Sequence, residues 1–299
     1  MKNKLIVLLV ALVCSFSIAG DFGGYSIFEY DNEAFDVNRV YLQYTDELND
    51  DLFLKIRLDV GRISDSEEDH SEDSKLTAYL KNAYIDWDYQ NVGKISMGLL
   101  STNSYAIQES TWGYRFISKS PLDKLGWINT ADFGVGYSRN FEKISLNFQI
   151  LNGEGYTSDD FDKNAETSMR ILYGESKLNK NDGYNAGLVL TNNKVDDAKV
   201  NLLGLFGGWS KGKIRVGAEY NRYDTNDSDV MYANYINYSV NDKWNVFVRN
   251  DIVEEVGGDS EHTAYVGAVW KANDKLYISP NILMNDSGED VRITCMFSY

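Results

Sequence analysis

Apolar and polar residues alternate along most of this chain. Leu52, Leu54, Ile56, Leu58 and Val60 share one face, while Phe53, Lys55, Arg57 and Asp59 share the other. That two-residue period is the mark of a β-strand with two unlike faces. The same pattern recurs at Ile144/Leu146/Phe148/Ile150, Phe133/Val135/Tyr137, Ala83/Ile85/Trp87/Tyr89, Ala186/Leu188/Leu190, Ile214/Val216/Ala218/Tyr220 and Ala264/Val266/Ala268/Trp270. Counting such segments predicts about sixteen strands, each close to the ten or so residues that a tilted strand needs to cross a bilayer. Two segments are blurred, Tyr25 to Tyr30 and Lys199 to Ser210, so the count spans about 14 to 18 strands.

The connections sharpen the pattern. Asn49-Asp50, Gln90-Asn91, Asn140 to Glu142, Asn179 to Asp182, Lys211-Gly212, Asn241-Asp242 and Ala272 to Asp274 carry the Asn, Asp and Gly that tight turns demand. Between them lie longer, more acidic stretches, 64–74, 102–129, 154–163 and 254–260. Short turns at one end and longer loops at the other are expected of a transmembrane antiparallel β-barrel, an all-β fold with periplasmic turns and extracellular loops. Beside the turns, apolar-face positions hold Tyr44, Trp87, Tyr89, Tyr137, Tyr184, Tyr238, Trp244 and Trp270. An aromatic belt at a headgroup interface predicts that placement.

The two ends of the chain bear on compartment. Lys2 and Lys4, the apolar run Leu5 to Val13, and the small residues Ser17 and Ala19 read as a signal peptide over 1–19. Residues 20–299 are then one barrel domain, with 102–129 as its constriction loop. Cleavage removes Cys14 and leaves Cys295 as the only cysteine, which excludes an intramolecular disulfide. The final strand places Val291, Ile293, Cys295, Phe297 and Tyr299 on its apolar face and ends on the aromatic. Phe297 and Tyr299 resemble the C-terminal signal that barrel-assembly machinery reads in outer-membrane proteins.

Composition agrees with that reading. Mean hydropathy is −0.39, as expected where apolar and polar residues alternate, and the chain holds 21 Tyr, 24 Gly and only 2 Pro. Cysteine and histidine form no metal-ligand spacing, and no cofactor or nucleic-acid partner is expected.

The stretch RVYLQYTDELNDDLFLKIRLDVG, from Arg39 to Gly61, resembles an early hairpin of the Gram-negative porins, loosely the phosphate-selective branch. Lys81 to Asp86 followed by Ile95 to Gly98 resembles the next hairpin. The resemblance implies a homotrimer with the third loop folded into the lumen, residing in the outer membrane against lipid and lipopolysaccharide. No lysine cluster stands in that loop, so phosphate specificity is not carried over.

If the apolar faces meet lipid, the opposite faces line water and pass small hydrophilic solutes. The candidate pore-lining residues are Arg39, Lys55, Arg57, Asp59, Asp86, Asp132, Arg215, Glu219, Arg249 and Arg292. Closure should gather Arg292, Arg39, Lys55 and Arg57 on one stretch of wall. The loop would contribute Glu109, Arg115, Lys119, Asp123 and Lys124, and opposed charges would sort solutes across the constriction. The whole chain carries −16, and losing Lys2 and Lys4 makes it −18. Acidic loops favour cations and the basic wall favours anions, so net charge alone does not decide selectivity.

Three rival readings have distinct marks. A rim hydrolase would need His262 or His70 in a catalytic pair, yet no GxSxG-type nucleophile motif accompanies them. A structural or adhesive barrel would be smaller, with side chains filling its interior. A soluble all-β protein would stay in solution without detergent.

Overall fold

The computed structural model describes residues 20–32, 34–61, 76–157, 164–195 and 198–299. The expected signal peptide over 1–19 and the acidic run Asp65 to Asp73 lie outside the described residues. Five strands precede the longest described loop: β1 (Asp21–Asp31), β2 (Ala34–Asn49), β3 (Leu52–Gly61), β4 (Thr77–Tyr89) and β5 (Gly93–Ser101). Two short helices follow, α1 (Ala106–Trp112) and α2 (Pro121–Lys124). Then come β6 (Ala131–Phe141), β7 (Ile144–Leu151), β8 (Glu166–Gly174), β9 (Gly183–Val195) and β10 (Ala198–Lys211). The last six are β11 (Ile214–Asp224), β12 (Ser228–Ser239), β13 (Trp244–Glu254), β14 (Glu261–Lys271), β15 (Leu276–Asn285) and β16 (Gly288–Ser298).

Each strand pairs antiparallel with the next, and β16 pairs with β1 from Tyr25↔Ser298 to Asp31↔Arg292, so the sheet is a closed barrel. Closure leaves no free edge, so the strands' backbone groups pair within the wall, with one interruption where Pro280 of β15 faces β14. Among the described residues no helix is long and apolar enough to cross a membrane. The crossing elements are strands.

Both blurred segments are strands, and the cause differs between them. β1 carries an irregularity in its pairing with β2 between Ile27 and Phe28, which breaks its alternation. β10 is regular, but Leu202 and Phe206 on its inner face are as apolar as Leu203 and Leu205 on its outer face. The reason lies inside the barrel and is given below.

The loop asymmetry holds only in part. At the end that carries residues 102–130, the connections β1–β2, β9–β10, β11–β12 and β15–β16 span just two or three residues. At the opposite end the turns are closed by side chains. Asn241 Oδ1 accepts from the Lys243 and Trp244 amides at 2.9 and 3.0 Å, and Asn273 Oδ1 from Lys275 and Leu276 at 2.8 and 2.9 Å. These local bonds hold each reversal without help from the rest of the fold.

The aromatic belt is present on the outer face at this turn end. Trp244 stacks on Trp270 at 6.0 Å, Trp87 meets Tyr89 edge-on at 4.8 Å, and Tyr184 packs on Tyr173 at 5.8 Å. Val291, Ile293, Phe297 and Tyr299 are likewise exposed on the outside.

Tyr299 closes the seam. Its backbone exchanges hydrogen bonds with Gly24 at 3.1 and 3.2 Å, and its hydroxyl donates to the Tyr41 carbonyl at 3.0 Å. A β-carbon at Gly24 would overlap the Tyr41 carbonyl oxygen and lie 2.8 Å from Tyr299 Cε2. Gly24→Val is therefore expected to block closure. The check is the fraction of refolded protein showing heat-modifiable gel migration, which should fall to a minor share while wild type remains mostly folded.

Candidate functional site

The interior is where alternation alone misleads. Residues 102–130 fold inward from the wall between β5 and β6 and pack against inner-face residues of the barrel. α1 begins after Tyr105 and stops at Gly113, whose φ of 78° lets its amide close on the Glu109 carbonyl at 2.7 Å. A left-handed residue at that position favours glycine. α2 is started by Ser120, whose hydroxyl accepts from the Asp123 amide at 3.3 Å, with Pro121 at its first position.

This loop rests on the wall through three apolar contacts. Trp112, Phe116 and Ile117 cluster with Tyr235, Phe247, Tyr265 and Val269 of β12–β14, and with Ile27 of β1. Leu122 joins Leu202, Met231, Ala233 and Val253. Ile107 joins Leu172, Val189 and Phe206. The expectation that inner faces line water is thus corrected for β8–β14: their inner faces are apolar where the loop covers them. Burying apolar side chains from both partners stabilises the docked loop at about 25 cal/mol per Å².

Polar contacts then fix the loop's register. The Trp112 carbonyl accepts from Arg215 Nη2 at 3.0 Å and from Asn237 Nδ2 at 2.9 Å. The Gln108 carbonyl accepts from the Tyr235 hydroxyl at 3.3 Å, and the Lys119 carbonyl from Arg249 Nη1 at 2.8 Å. Arg249 is 1 % exposed, pairs with Asp251 at 2.7 Å, and stands 5.3 Å from the ring centres of both Trp112 and Tyr265. Lys124 Nζ donates to the Tyr265 hydroxyl at 3.0 Å.

The candidate residues divide accordingly. Arg215, Glu219 and Arg249 point inward but lie beneath or against the loop, so they face it rather than open solvent. Asp132 is buried and accepts from the Phe133 and Gly153 amides at 2.7 and 2.6 Å, holding the start of the next loop. Arg292 pairs with Glu29 at 3.8 Å and bonds Asn281 at 3.0 Å at the seam, away from the Arg39, Lys55 and Arg57 stretch it was expected to join. Glu109 pairs with Arg115 at 3.3 Å, and Lys119 with Asp123 at 3.5 Å, within the loop itself.

Across from the docked loop, the inner wall of β2–β5 keeps access to solvent. Arg39, Lys55, Arg57 and Tyr84 are half-buried there, and Asp59 is held by Arg39 Nη1 at 3.0 Å. Asp86 accepts from Lys94 Nζ at 2.7 Å. Sequence reading passed over Lys81, which is buried, bonds the Thr130 hydroxyl, and stands 3.7 Å over the Tyr156 ring. Tyr25, Tyr41 and Tyr79 were also passed over, because an inward tyrosine looks no different in sequence from an outward one. At the turn end, below α1, opens a vestibule of about 810 Å³ lined by polar side chains including Asp88, Lys94, Asn147 and Arg170.

A closed sixteen-stranded barrel, apolar outside and with its third loop folded inside, has the fold of a porin-like transmembrane barrel. Among solved structures it is similar to the loop L8 deletion mutant of OmpT, an outer membrane protein of Vibrio cholerae, with a TM-score of 0.65 at 16 % identity over 94 % of this chain and all of the other. The anion-selective porin from Comamonas acidovorans aligns with a TM-score of 0.64 at 13 % identity, covering 94 % of this chain and 99 % of that one. Salmonella typhi OmpF, in complex with daunomycin, aligns with a TM-score of 0.66 at 11 % identity over 94 % and 97 %. No protein-family profile matches the chain, and no curated protein matches it in sequence.

Proposed function

We propose that this chain is a non-enzymatic outer-membrane porin through which small hydrophilic solutes and ions diffuse. The observation that carries the reading is the one-sided seat of the third loop: it is packed on the wall from β8 round to β1, while the β2–β5 wall keeps Arg39, Lys55 and Arg57 partly open to solvent. A plug would contact the wall all round. A lumen of this strand number is wide enough to stay wet once a single loop has entered it. The neighbours include proteins named as porins, which supports the reading. OmpT of Vibrio cholerae, another neighbour, is described in trimer form, which supports a homotrimer here.

Liposome swelling tests the proposal. Proteoliposomes should swell in small sugars at rates that fall with sugar size, and absence of swelling from correctly folded protein would remove the reading.

The rim-hydrolase alternative gains no support from His262. Its backbone amide donates to Asp286 at 3.0 Å, and no nucleophile–base pair forms around its ring among the described residues.

The loop's own charge should respond to acid. Burial pushes the Glu109 carboxyl above the ordinary carboxylate value, while Arg115 and the Ser120 amide pull it back; Asp123 and Arg249 are the other charges it feels. A raised value means that Glu109 takes its proton at milder acidity than a free carboxylate, leaving Arg115 uncompensated. Mild acidification is therefore expected to move the reversal potential toward anion permeability. Glu109→Gln should show that shifted value at neutral pH and respond less to acid.

A further inference from the structure

The charges around the passage are not evenly neutralised. In the narrow zone the carboxylates already hold cations: Asp59 with Arg39 at 3.0 Å, Glu109 with Arg115 at 3.3 Å, Asp123 with Lys119 at 3.5 Å and Asp86 with Lys94 at 2.7 Å. Asp251 is taken by Arg249 beneath the loop. Lys55 and Arg57 stand two residues apart on the inner face of β3, and neither forms an ion pair among the described residues.

Their partners are neutral. Arg57 donates to Gln43 Oε1 from Nε at 3.3 Å and from Nη2 at 2.7 Å, and its guanidinium lies 5.2 Å over the Tyr41 ring. Lys55 Nζ lies 5.9 Å over the Tyr84 ring. Amides and aromatic faces orient a cation without cancelling its charge. Among the described residues neither of these two like charges forms an ion pair, and Asp86, the carboxylate that acts on Lys55 from the neighbouring strand, is itself held by Lys94. A passing anion supplies the counter-charge.

We infer that the passage prefers anions to cations, and that Lys55 and Arg57 set the preference; this rests on the chain acting as a diffusion pore. The path beyond them agrees. Arg170 and Lys177 border the turn-end vestibule together with Lys94, which Asp86 holds, and Asp88 is the one carboxylate in its lining. The chain's net charge of −16 is no objection, because much of the acid lies at the rims. Glu47, Asp50 and Asp51 at one end, and Glu254, Glu255 and Asp259 at the other, are exposed to solvent. Exposed charges are screened within about 8 Å at physiological salt. Charges on a lumen wall, with low-dielectric protein and lipid behind them, act over the whole narrow section. Other inward carboxylates are taken up elsewhere: Glu29 pairs with Arg292 at the seam, Glu219 is covered by the loop, and Asp132 and Glu166 sit near each other at the loop ends of β6 and β8.

The test is the reversal potential of the purified protein in a planar bilayer under a KCl gradient. Chloride should permeate better than potassium by roughly a factor of two to three. The Lys55→Gln/Arg57→Gln double variant, checked for folding by heat-modifiable migration, should bring the ratio to one or below. Arg57→Gln alone should fall between them, and it serves if the double variant misfolds. A potassium preference in the wild type overturns the inference, as does an unchanged ratio in the variants. Failure of the pore reading looks different: no stepwise conductance at all, from folded protein, in any variant.

Discussion

Replacing Arg249 with leucine should widen and destabilise the passage together. The guanidinium binds both oxygens of Asp251 at 2.7 to 3.1 Å, donates to the Lys119 carbonyl, and fills the space between Trp112 and Tyr265. Removing it leaves Asp251 as a buried charge with no cation, a change that typically costs about 3–5 kcal/mol. The loop loses one of its register-fixing bonds at the same time. The expected result is a larger, noisier single-channel conductance with lowered resistance to denaturant. The Arg249→Leu/Asp251→Leu double variant separates the two effects, since it removes the orphaned carboxylate. Its stability should recover substantially, while its conductance should stay abnormal because the Lys119 carbonyl remains unheld.

Trp112→Ala should have an effect of similar size for a different reason. Trp112 is 1 % exposed and meets Tyr114, Tyr235 and Phe247 edge-on at 5.4, 5.3 and 5.5 Å. Truncating so large a buried side chain costs about 3–5 kcal/mol, part of it for the cavity left behind. That loss falls on the contact between loop and wall, not on the ladder of strand hydrogen bonds. The barrel should therefore still form and migrate heat-modifiably, while the loop undocks. Limited proteolysis of the folded protein should then cut within residues 102–130, while the wild type should resist cleavage there because the loop is packed on the wall. A variant that is both folded and uncut would show that the tryptophan is not the anchor of the loop.

The barrel was legible in the sequence because lipid and water impose opposite demands on alternate residues of each strand. The turns were legible because Asn and Gly do local work there. The interior was not, and β10 shows why. Its inner Leu202 and Phe206 break the alternation only because Leu122 and Ile107, some eighty to one hundred residues earlier, come to rest on them. Nothing within β10 announces that partner. The same inner apolar residues recur at Met231, Phe247 and Val253, so their excess on one half of the barrel was the available sign that something covers it. Which of the charged inner-face positions are open to solvent depends on the loop. Lys55 and Arg57 stay half-buried among neutral partners; Arg249 is fully buried against Trp112.

Planar-bilayer recording of the purified, detergent-extracted protein tests the central claim most directly. The account predicts discrete conductance steps at neutral pH that persist over time, because the loop narrows the lumen from one side and leaves the other open. Heat-modifiable, folded protein that inserts and yet conducts nothing would contradict it.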